Sequence, residues 1–405
     1  MTVSRQAERR LRVLSLSTLF PSPPRPALGK FVASQARAVL ARGDVALTLV
    51  APIGVPPFPL SRHPHYRDLA RCPATSELDG HVVHHPRFRT RPWRGPDVNP
   101  AAIVRAVLPL ARRWHLAEPF DLVDAQFFFP DGPAAATIAR ELDLPLTIKA
   151  RGADIHHWGA RPRAAVQMAS AAEQAAALLA VSAALREDMI ALGMPGERIA
   201  VHLTGLDHAL FHVRRRNEAL DLARGVPGMQ TWLGGPLLVT PGALIARKGQ
   251  RFAIEALALV PGAHLALAGA GADEAALRAL AQERGVAGRV HVLGQVSHEA
   301  LGRLLSAADA MVLPSASEGL ANAWVEALAC GAPLVIPPIG GAAELVDRPE
   351  AGRLVPREAG AIAAAINAIL ADPPLREAVA ATVARFSWPA NAAALVETWR
   401  MCAAQ

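Results

Sequence analysis

The stretch PSASEGLANAWVEALACG, at residues 314–331, decides the predicted fold. The apolar run AMVL at residues 310–313 leads into it and predicts a buried strand, and the apolar spacing that follows predicts a helix beginning near Gly319. Unpaired N–H groups at the start of that helix would lie at the carboxyl ends of parallel strands, where α/β proteins bind phosphate groups. The stretch therefore predicts an anion-binding strand–turn–helix unit.

Short apolar runs alternate with helical patterns on both sides of this stretch, which predicts parallel sheets with helices on both faces. Residues 52–100 interrupt the order as an excursion, rich in Pro, Arg and His, in which we expect one or two strands. The pattern also breaks between Gly205 and Pro236 and then restarts. Two doubly wound α/β domains in tandem are therefore predicted.

The composition excludes several classes of protein. With 405 residues, 52% of them hydrophobic, the chain can bury large cores and is not disordered over most of its length. Three cysteines without a CxxC pair favour a reducing compartment and no zinc site. The longest uncharged run, residues 225–246, contains three prolines and five glycines, so we expect no membrane-spanning helix.

The net charge of +7 is unevenly distributed along the chain. Residues 1–205 contain 25 Lys and Arg against 17 Asp and Glu, whereas the remainder contains 17 against 18. Two interpretations stay open: the base composition of the source genome, or a basic first half that contacts an anionic membrane or an anionic substrate. Aromatic residues make up only 5% of the chain, so we expect no nucleic-acid partner.

Residues 314–331 resemble the signature EGxxNxxxEAxxCG of retaining glycosyltransferases of the family-4 type, similar to those of bacterial cell-envelope polysaccharides. The segments GAG at 269–271, RVHVLG at 289–294 and GGAAE at 340–344 occur in the order typical of that family. The resemblance covers essentially the whole chain and is looser in the first half. It implies the GT-B fold, in which two Rossmann-like doubly wound domains face an interdomain cleft.

The resemblance also implies a domain organisation and an activity. Residues 1–210 would bind the acceptor, residues 211–385 would bind the nucleotide sugar, and residues 386–405 would form a helix that crosses back to the first domain. The activity would be retaining transfer of a hexose-type sugar from a nucleoside diphosphate sugar to a hydroxyl of a lipid-linked or polysaccharide glycan. We expect no metal and no other cofactor, and a location in the cytoplasm or at the inner face of the cytoplasmic membrane.

The resemblance places the donor site at residues 315–326. Glu318 would hold the hydroxyls of the donor sugar and Glu326 those of the ribose, because carboxylates accept paired hydroxyl hydrogens well. These two glutamates lie eight residues apart, which is about 12 Å if both are helical. The other predicted donor contacts in this segment are Ser315, Gly319, Leu320, Ala321 and Asn322.

Lys248, with Arg247 beside it, would be the cationic clamp on the donor diphosphate. The chain contains no Asp-x-Asp pair for a divalent ion, so fixed cations and helix N–H groups would stabilise the leaving group. Many family members have an arginine where this chain has Ala243. Gly271 is a predicted donor contact with two open interpretations, close approach to the nucleotide or simple turning of the chain.

On the acceptor side, Gly29 and Lys30 resemble the glycine-rich loop of the family, although Gly29 as a plain turn residue is nearly as consistent. Arg151 and Gly152 occupy a segment where relatives often show His-Gly-x-Asp; since arginine cannot act as a base at neutral pH, Arg151 would bind or stabilise charge. Asp154 is retained and belongs to the predicted catalytic set. For His156 a substrate contact and a merely structural place both stay open.

Two other functions are consistent with the same residues. A GT-B epimerase or hydrolase would act on the same nucleotide sugar without needing an acceptor. A non-catalytic partner would keep the donor fold but lack the acceptor side, a possibility that Arg151 and Ala243 raise. Turnover of the donor separates the partner from an enzyme, and turnover without an acceptor separates the epimerase or hydrolase from a transferase.

Overall fold

The computed structural model describes residues 10–90 and 95–404. Its strands are β1 Leu11–Leu16, β2 Val45–Val50, β3 Ile53–Val55, β4 Thr75–Leu78, β5 His81–His84, β6 Arg87–Arg89, β7 Leu122–Ala125, β8 Leu146–Ala150, β9 Ala177–Ala180, β10 Ile199–Val201, β11 Leu237–Pro241, β12 His264–Ala268, β13 Val290–Gly294, β14 Ala310–Val312, β15 Leu334–Ile336 and β16 Gly352–Leu354. Its helices are α1 Lys30–Leu40, α2 Pro64–Ala70, α3 Asn99–Ala117, α4 Asp131–Leu142, α5 Pro162–Gln174, α6 Ala183–Ala191, α7 Arg216–Arg224, α8 Gln250–Leu257, α9 Glu274–Glu283, α10 His298–Ala307, α11 Asn322–Ala329, α12 Ala342–Leu345, α13 Ala359–Ala371, α14 Arg376–Ala381 and α15 Trp388–Ala403.

The chain divides into two compact units. The first comprises residues up to Gly205 together with those from Trp388 onward, and the second comprises Leu206–Ser387. Helix α15 belongs to the first unit because its apolar side packs into that unit's core, where Leu395 and Trp399 join Val13 and Leu122 in one buried cluster.

The first unit is built on an eight-stranded sheet in the order β10-β9-β8-β7-β1-β2-β5-β4. Neighbouring strands are parallel except for β4 and β5, which form an antiparallel pair. The predicted excursion contains four strands rather than one or two: β4 and β5 extend the main sheet, while β3 and β6 form a separate two-stranded sheet. These strands are only three or four residues long, which explains why no clear period marks them in the sequence.

The second unit is a six-stranded, wholly parallel sheet in the order β13-β12-β11-β14-β15-β16. Numbered within the unit, this order is 3-2-1-4-5-6, the Rossmann order, and it reverses direction between β11 and β14. The strands bury nearly continuous apolar runs against helices such as α8 and α13. The predicted α/β fold with parallel, doubly wound sheets is therefore confirmed.

One helix boundary that matters for the site differs from the prediction. Helix α11 begins at Asn322, three residues after the predicted start at Gly319, and Ala321 is its N-cap residue. Residues 319–321 therefore belong to the loop after β14, and Glu318 is not helical. The estimate of about 12 Å between Glu318 and Glu326, which assumed a continuous helix, does not apply. None of the described helices is long and apolar enough to cross a bilayer.

Candidate functional site

Two loops meet at the switch point of the second sheet. The basic loop, residues 242–249, follows β11, and the acidic turn, residues 313–321, follows the adjacent strand β14. The two backbones are joined by hydrogen bonds: the N–H of Ala316 donates to the carbonyl of Arg247 at 2.7 Å, and Nη1 of Arg247 donates to the carbonyl of Ser317 at 2.6 Å. Open α/β sheets bind their ligands at such a point.

The charged side chains predicted for the donor site meet in this place. Nζ of Lys248 lies 2.5 Å from Oε1 of Glu318, and Nη1 of Arg247 lies 3.6 Å from the same oxygen. Glu318 is 11% exposed and Lys248 is 15% exposed, whereas Arg247 is 44% exposed. Two cations thus face one carboxylate, so the place where the two loops meet has a net positive charge. The partly exposed guanidinium of Arg247 can bind an anion.

Glycines bring the two loops together at positions that no other residue fits. Gly249 has φ +71°, and a Cβ on it would lie 2.1 Å from the carbonyl oxygen of Pro314. Gly340 has φ +47°, and a Cβ there would lie 2.1 Å from the carbonyl oxygen of Glu318. The next residue, Gly341, donates its N–H to the carbonyl of Gly319 at 2.7 Å. The GGAAE segment thus supports the turn that carries Glu318.

Gly271 serves the packing of the chain. A Cβ on it would lie 2.2 Å from the carbonyl oxygen of Leu244, and a Cβ on Gly269 would lie 1.9 Å from the carbonyl oxygen of Gly242. Both glycines therefore let the loop after β12 pack directly against the basic loop. Of the two interpretations left open by the sequence, the structure favours the one in which Gly271 shapes the chain rather than approaches a nucleotide.

Glu326 lies on α11, and its side chain has no hydrogen-bond partner among residues 10–90 and 95–404. Burial raises the pKa of its carboxyl to about 7, and no neighbouring cation offsets that rise. A half-buried, unpaired carboxyl is costly in a folded protein unless a ligand completes its hydrogen bonds. Of the other predicted contacts, Ala321 and Asn322 are partly exposed beside it, whereas Gly319, Leu320 and Ser315 are buried.

Ser315 lies within the acidic turn, next to Pro314, and its side chain is fully buried. Its hydroxyl has no hydrogen-bond partner among the described residues, and its contact with a donor stays a prediction. The sequence offered no reason to select Arg357, yet Nε of Arg357 donates to the carbonyl of Pro314 at 2.9 Å and its guanidinium lies 5.0 Å from the ring centroid of Phe252. Arg357 thus helps to fix the acidic turn.

A cavity in the first unit lies at the carboxyl ends of β1 and β2, beside the segments of the excursion. The cavity has a volume of about 470 Å³, and its lining includes Thr18, Phe20, Arg25, Tyr66, Asn99 and Pro130. Aromatic rings, hydroxyls and an amide without a carboxylate suit a sugar, because rings stack on its faces and polar groups meet its hydroxyls. Sequence reasoning missed these residues because they come from distant segments.

The predicted acceptor residues Gly29 and Lys30 lie at the start of α1. Gly29 has φ +63°, and a Cβ on it would lie 2.2 Å from the carbonyl oxygen of Leu19. The turn between β1 and α1 therefore needs glycine for its own geometry. Gly29 does not line the cavity, but the segment that it closes contributes Phe20 and Arg25 to the lining.

Arg151 is held by neutral groups at the end of β8. Its Nη2 donates to Oε1 of Gln126 at 2.6 Å, its Nε donates to the carbonyl of the same residue at 3.2 Å, and its guanidinium lies 5.0 Å from the ring centroid of Phe31. Burial lowers the pKa of Arg151 to about 10, so the side chain remains charged at neutral pH. A cation without a carboxylate partner is suited to binding an anionic group, as the sequence predicted for this position.

A buried polar network lies around Arg151, and nothing in the sequence pattern revealed it. Nζ of Lys149 donates to Oε1 of Gln35 at 3.2 Å and contacts Nδ1 of His202. Burial lowers the pKa of Lys149 well below its usual value, and burial also raises the pKa of Asp124. Asp124 accepts hydrogen bonds from Thr147, Gln126, Ser15 and, from helix α15, Trp399.

Asp154, predicted as part of the catalytic set, makes hydrogen bonds that hold the turn after β8. It is fully buried, and its carboxylate accepts the backbone N–H groups of Phe128 at 2.8 Å, Arg151 at 2.9 Å and Gly152 at 2.8 Å. Gly152 has φ +108°, which suits glycine in this tight turn. Asp154 therefore positions the loop that carries Arg151.

His156 lies on a π-helical turn, Asp154–Trp158, that continues from this loop. Its Nε2 lies 2.8 Å from Oδ2 of Asp188, and its side chain is 28% exposed. The contact ties the turn to helix α6. Both interpretations left open by the sequence, a substrate contact and a structural place, are compatible with this partly exposed position.

Comparisons with known proteins agree with this architecture. Residues 28–210 match the family model described as Glycosyltransferase Family 4, and residues 232–385 match the one described as Glycosyl transferases group 1. The putative teichuronic acid biosynthesis glycosyltransferase TuaC of Bacillus subtilis is 27% identical, over 88% of this chain and 88% of its own. Glycogen synthase of Mycobacterium tuberculosis is 29% identical, over 90% of this chain and 87% of its own.

Solved structures share the fold. HepE of Anabaena, crystallised in complex with UDP, superimposes with a TM-score of 0.72 at 20% identity and covers 97% of this chain and 100% of its own. Sucrose-phosphate synthase of Thermosynechococcus elongatus gives a TM-score of 0.75 at 21% identity, over 97% of this chain and 99% of its own. Because the two family models between them match most of both units, the protein belongs to the GT-B glycosyltransferases that join a family 4 domain to a group 1 domain.

Proposed function

We propose that the protein is a metal-independent, retaining glycosyltransferase that uses a nucleoside diphosphate sugar. The observation that carries the proposal is the meeting of Lys248, Arg247 and Glu318 at the switch point of the second sheet. Fixed cations there would take the diphosphate, and Glu326, the unpaired carboxyl on α11, would take the ribose hydroxyls. The UDP bound to HepE, a protein of the same fold, supports a uridine nucleotide as the first donor to test.

In the proposed mechanism, Glu318 changes its partner during the reaction. In the free protein its carboxylate pairs with Lys248. When a donor binds, the diphosphate takes over the lysine, and Glu318 becomes available to the sugar hydroxyls and to the positive charge that develops on the sugar ring. The bond from C1 to the phosphate oxygen breaks while the acceptor oxygen bonds to C1 from the same face, and the acceptor proton passes to the leaving phosphate. Lys248 and Arg247 stabilise the charge of that leaving group.

For the acceptor, we propose a hydroxyl of a lipid-linked or polysaccharide glycan of the cell envelope. The cavity of the first unit supports a sugar, and the name of TuaC, a putative teichuronic acid biosynthesis glycosyltransferase, supports an envelope polymer. The three cysteines are free and buried, which fits a reducing compartment. We therefore propose that the reaction takes place in the cytoplasm, at the inner face of the membrane.

The proposal is tested by incubating the purified protein with UDP, GDP and ADP sugars one at a time and following the products by mass spectrometry. We expect slow release of one nucleoside diphosphate without an acceptor, and faster release with transfer of the sugar when a lipid-linked glycan is added. Rapid turnover that ignores the acceptor would support an epimerase or hydrolase instead. No turnover of any donor, together with nucleotide binding, would support a non-catalytic partner.

Glu326→Ala is expected to weaken UDP binding by about ten- to a hundredfold, since a hydrogen bond to a charged group contributes roughly 1.5 to 3 kcal/mol. The pKa of about 7 adds a pH dependence. The carboxyl becomes charged as pH rises from 6 to 8, and only the carboxylate accepts hydrogens through both oxygens, so the affinity for UDP should rise over this range.

Isothermal titration calorimetry with UDP measures both effects, and Glu326→Gln is the matched control. UDP also titrates near this range, and the Gln variant reports that contribution alone because it lacks the protein carboxyl. Equal affinities for the parent and the Ala variant, with parallel pH profiles for the parent and the Gln variant, would remove Glu326 from the nucleotide site.

A further inference from the structure

An aromatic side chain projects into solvent from the excursion of the first unit. Phe58 is 70% exposed and Leu60 is 40% exposed, whereas each of the other ten phenylalanines is buried or half-buried. Both residues lie between β3 and α2, in the sequence PPFPL at residues 56–60. Scattered apolar side chains are normal on protein surfaces, so Phe58 and Leu60 point to a contact surface only together with the residues around them.

The tip belongs to a small substructure that we name the Phe58 lobe: residues 53–72 and 86–90, including β3, α2 and β6. A buried cluster of Ile53, Leu69 and Cys72 holds the lobe together from within. The tip is therefore presented by a packed scaffold and is not the end of a free loop. Its position would be maintained when a partner binds.

The Phe58 lobe is strongly basic. It contains five arginines, all exposed, and a single acidic residue, Asp68; the arginines are Arg62, Arg67, Arg71, Arg87 and Arg89. Within the described residues, the only ion pair of the lobe joins Arg67 and Asp68 at 3.8 Å. The Arg62 guanidinium lies 5.0 Å from the ring centroid of Phe58, so positive charge adjoins the apolar tip itself.

The charge difference between the two units supports the same surface. The first unit contains 26 Lys and Arg against 18 Asp and Glu, whereas the second contains 16 against 17. Genome composition should favour arginine in both units alike, without an excess over acidic residues in only one of them. The first unit has eight more basic than acidic residues, and the Phe58 lobe contributes half of that excess. The positive charge is therefore concentrated in the lobe.

We propose that the Phe58 lobe docks on an anionic lipid bilayer, with Phe58 and Leu60 inserted at the boundary between headgroups and acyl chains. The arginines would contact the lipid phosphates. The lobe combines positive charge with an exposed apolar tip, and an anionic membrane can contact both. A polyanion such as a nucleic acid would contact the arginines but would leave the apolar tip in water. Docking would bring the first unit to a lipid-linked acceptor, and only this purpose rests on the proposed function.

The test is sedimentation of the full-length protein with vesicles of phosphatidylglycerol and phosphatidylcholine, against vesicles of phosphatidylcholine alone. We expect binding to the anionic vesicles that weakens steeply as salt is added, since the attraction is screened over about 10 Å at 0.1 M salt. Arg62→Ala/Arg71→Ala/Arg89→Ala should weaken it about a hundredfold at low salt. Phe58→Ser/Leu60→Ser should weaken it by about tenfold or more, with an effect that persists at high salt.

Matched controls separate the lobe from general charge and hydrophobicity. Arg278→Ala/Arg303→Ala/Arg348→Ala removes the same net charge from the second unit, and Leu375→Ser removes a leucine that is 77% exposed there. Both controls should bind vesicles like the parent. Calorimetry with UDP reports whether each variant keeps a folded second unit, and the Tm of each variant reports on the first.

A fluorescent label gives an independent reading of insertion. The three native cysteines are buried, so Ser61→Cys provides a selective position for an environment-sensitive dye beside the tip. We expect a blue shift of its emission with anionic vesicles and none with neutral ones. The proposal would be overturned if the arginine variant lost binding while the Phe58/Leu60 variant bound fully, because that result indicates attraction to polyanions in general. An equal loss of binding in the control variants would overturn it as well.

Vesicle binding and sugar transfer fail separately in this design. If the protein binds vesicles through the lobe but transfers no sugar, the docking surface stands and the proposed function does not. If it transfers sugar to a soluble acceptor but ignores vesicles, the docking surface is wrong and the proposed function stands.

Discussion

Lys248→Ala lowers the kcat of sugar transfer by about a hundredfold, the scale of losing one preorganised contact with the charge of a transition state. In the free protein Nζ of Lys248 lies 2.5 Å from Oε1 of Glu318, so the substitution removes the clamp and also leaves that carboxylate without its main cation. The neighbouring Arg247, 3.6 Å from the same oxygen, limits the loss. The measurement is steady-state transfer with the donor identified by mass spectrometry.

Lys248→Arg is the matched control, because it keeps the charge while altering the geometry, and it should recover part of the lost rate. Combining Lys248→Ala with Glu318→Gln should cost less than the product of the two single effects, since the residues are in contact. Chelation with EDTA should leave the parent enzyme unchanged. Activity that EDTA abolishes and a divalent ion restores would contradict the proposed metal-free clamp.

Asp154→Ala should destabilise the first unit by about 3 to 5 kcal/mol, because three buried N–H groups lose their acceptor and each unsatisfied group costs about 1 to 3 kcal/mol. Those groups belong to Phe128, Arg151 and Gly152. For a unit of this size the Tm should fall by about 10 °C. Differential scanning calorimetry measures the change.

Asp154→Asn should show a smaller loss of stability, since its amide oxygen can still accept hydrogen bonds from part of this set. The affinity for UDP, a property of the second unit under the proposed function, should be the same in both variants as in the parent. A parent-like Tm combined with lost turnover would contradict the positioning role and restore the catalytic role that the sequence suggested for Asp154.

Local patterns in the sequence predicted most strands of the second unit and its resemblance to a family, but not β16. The apolar runs that became β11, β12, β14 and β15 are short and buried along nearly their whole length, the pattern typical of strands in a parallel sheet. The spacing of Glu318, Asn322 and Glu326 resembles a family signature, which made the fold predictable. Helix α11 nevertheless starts at Asn322, because Gly340 and Gly341 hold residues 318–319 in a turn. Those contacts come from 22 residues further along the chain.

The sequence by itself therefore determined the α/β class, the two doubly wound units and which residues were candidates for the donor site. Only the tertiary structure decided which candidates meet. Lys248 and Glu318 are 70 residues apart in sequence, and they touch because β11 and β14 are neighbours at the switch point. The contacts of Gly271 with the basic loop, the burial of Ser315 and the hydrogen bonds of Asp154 to backbone N–H groups also appear only in the tertiary structure. The order of the strands decides what packs against each glycine and what each carboxylate contacts. That order is set by contacts between residues distant in sequence.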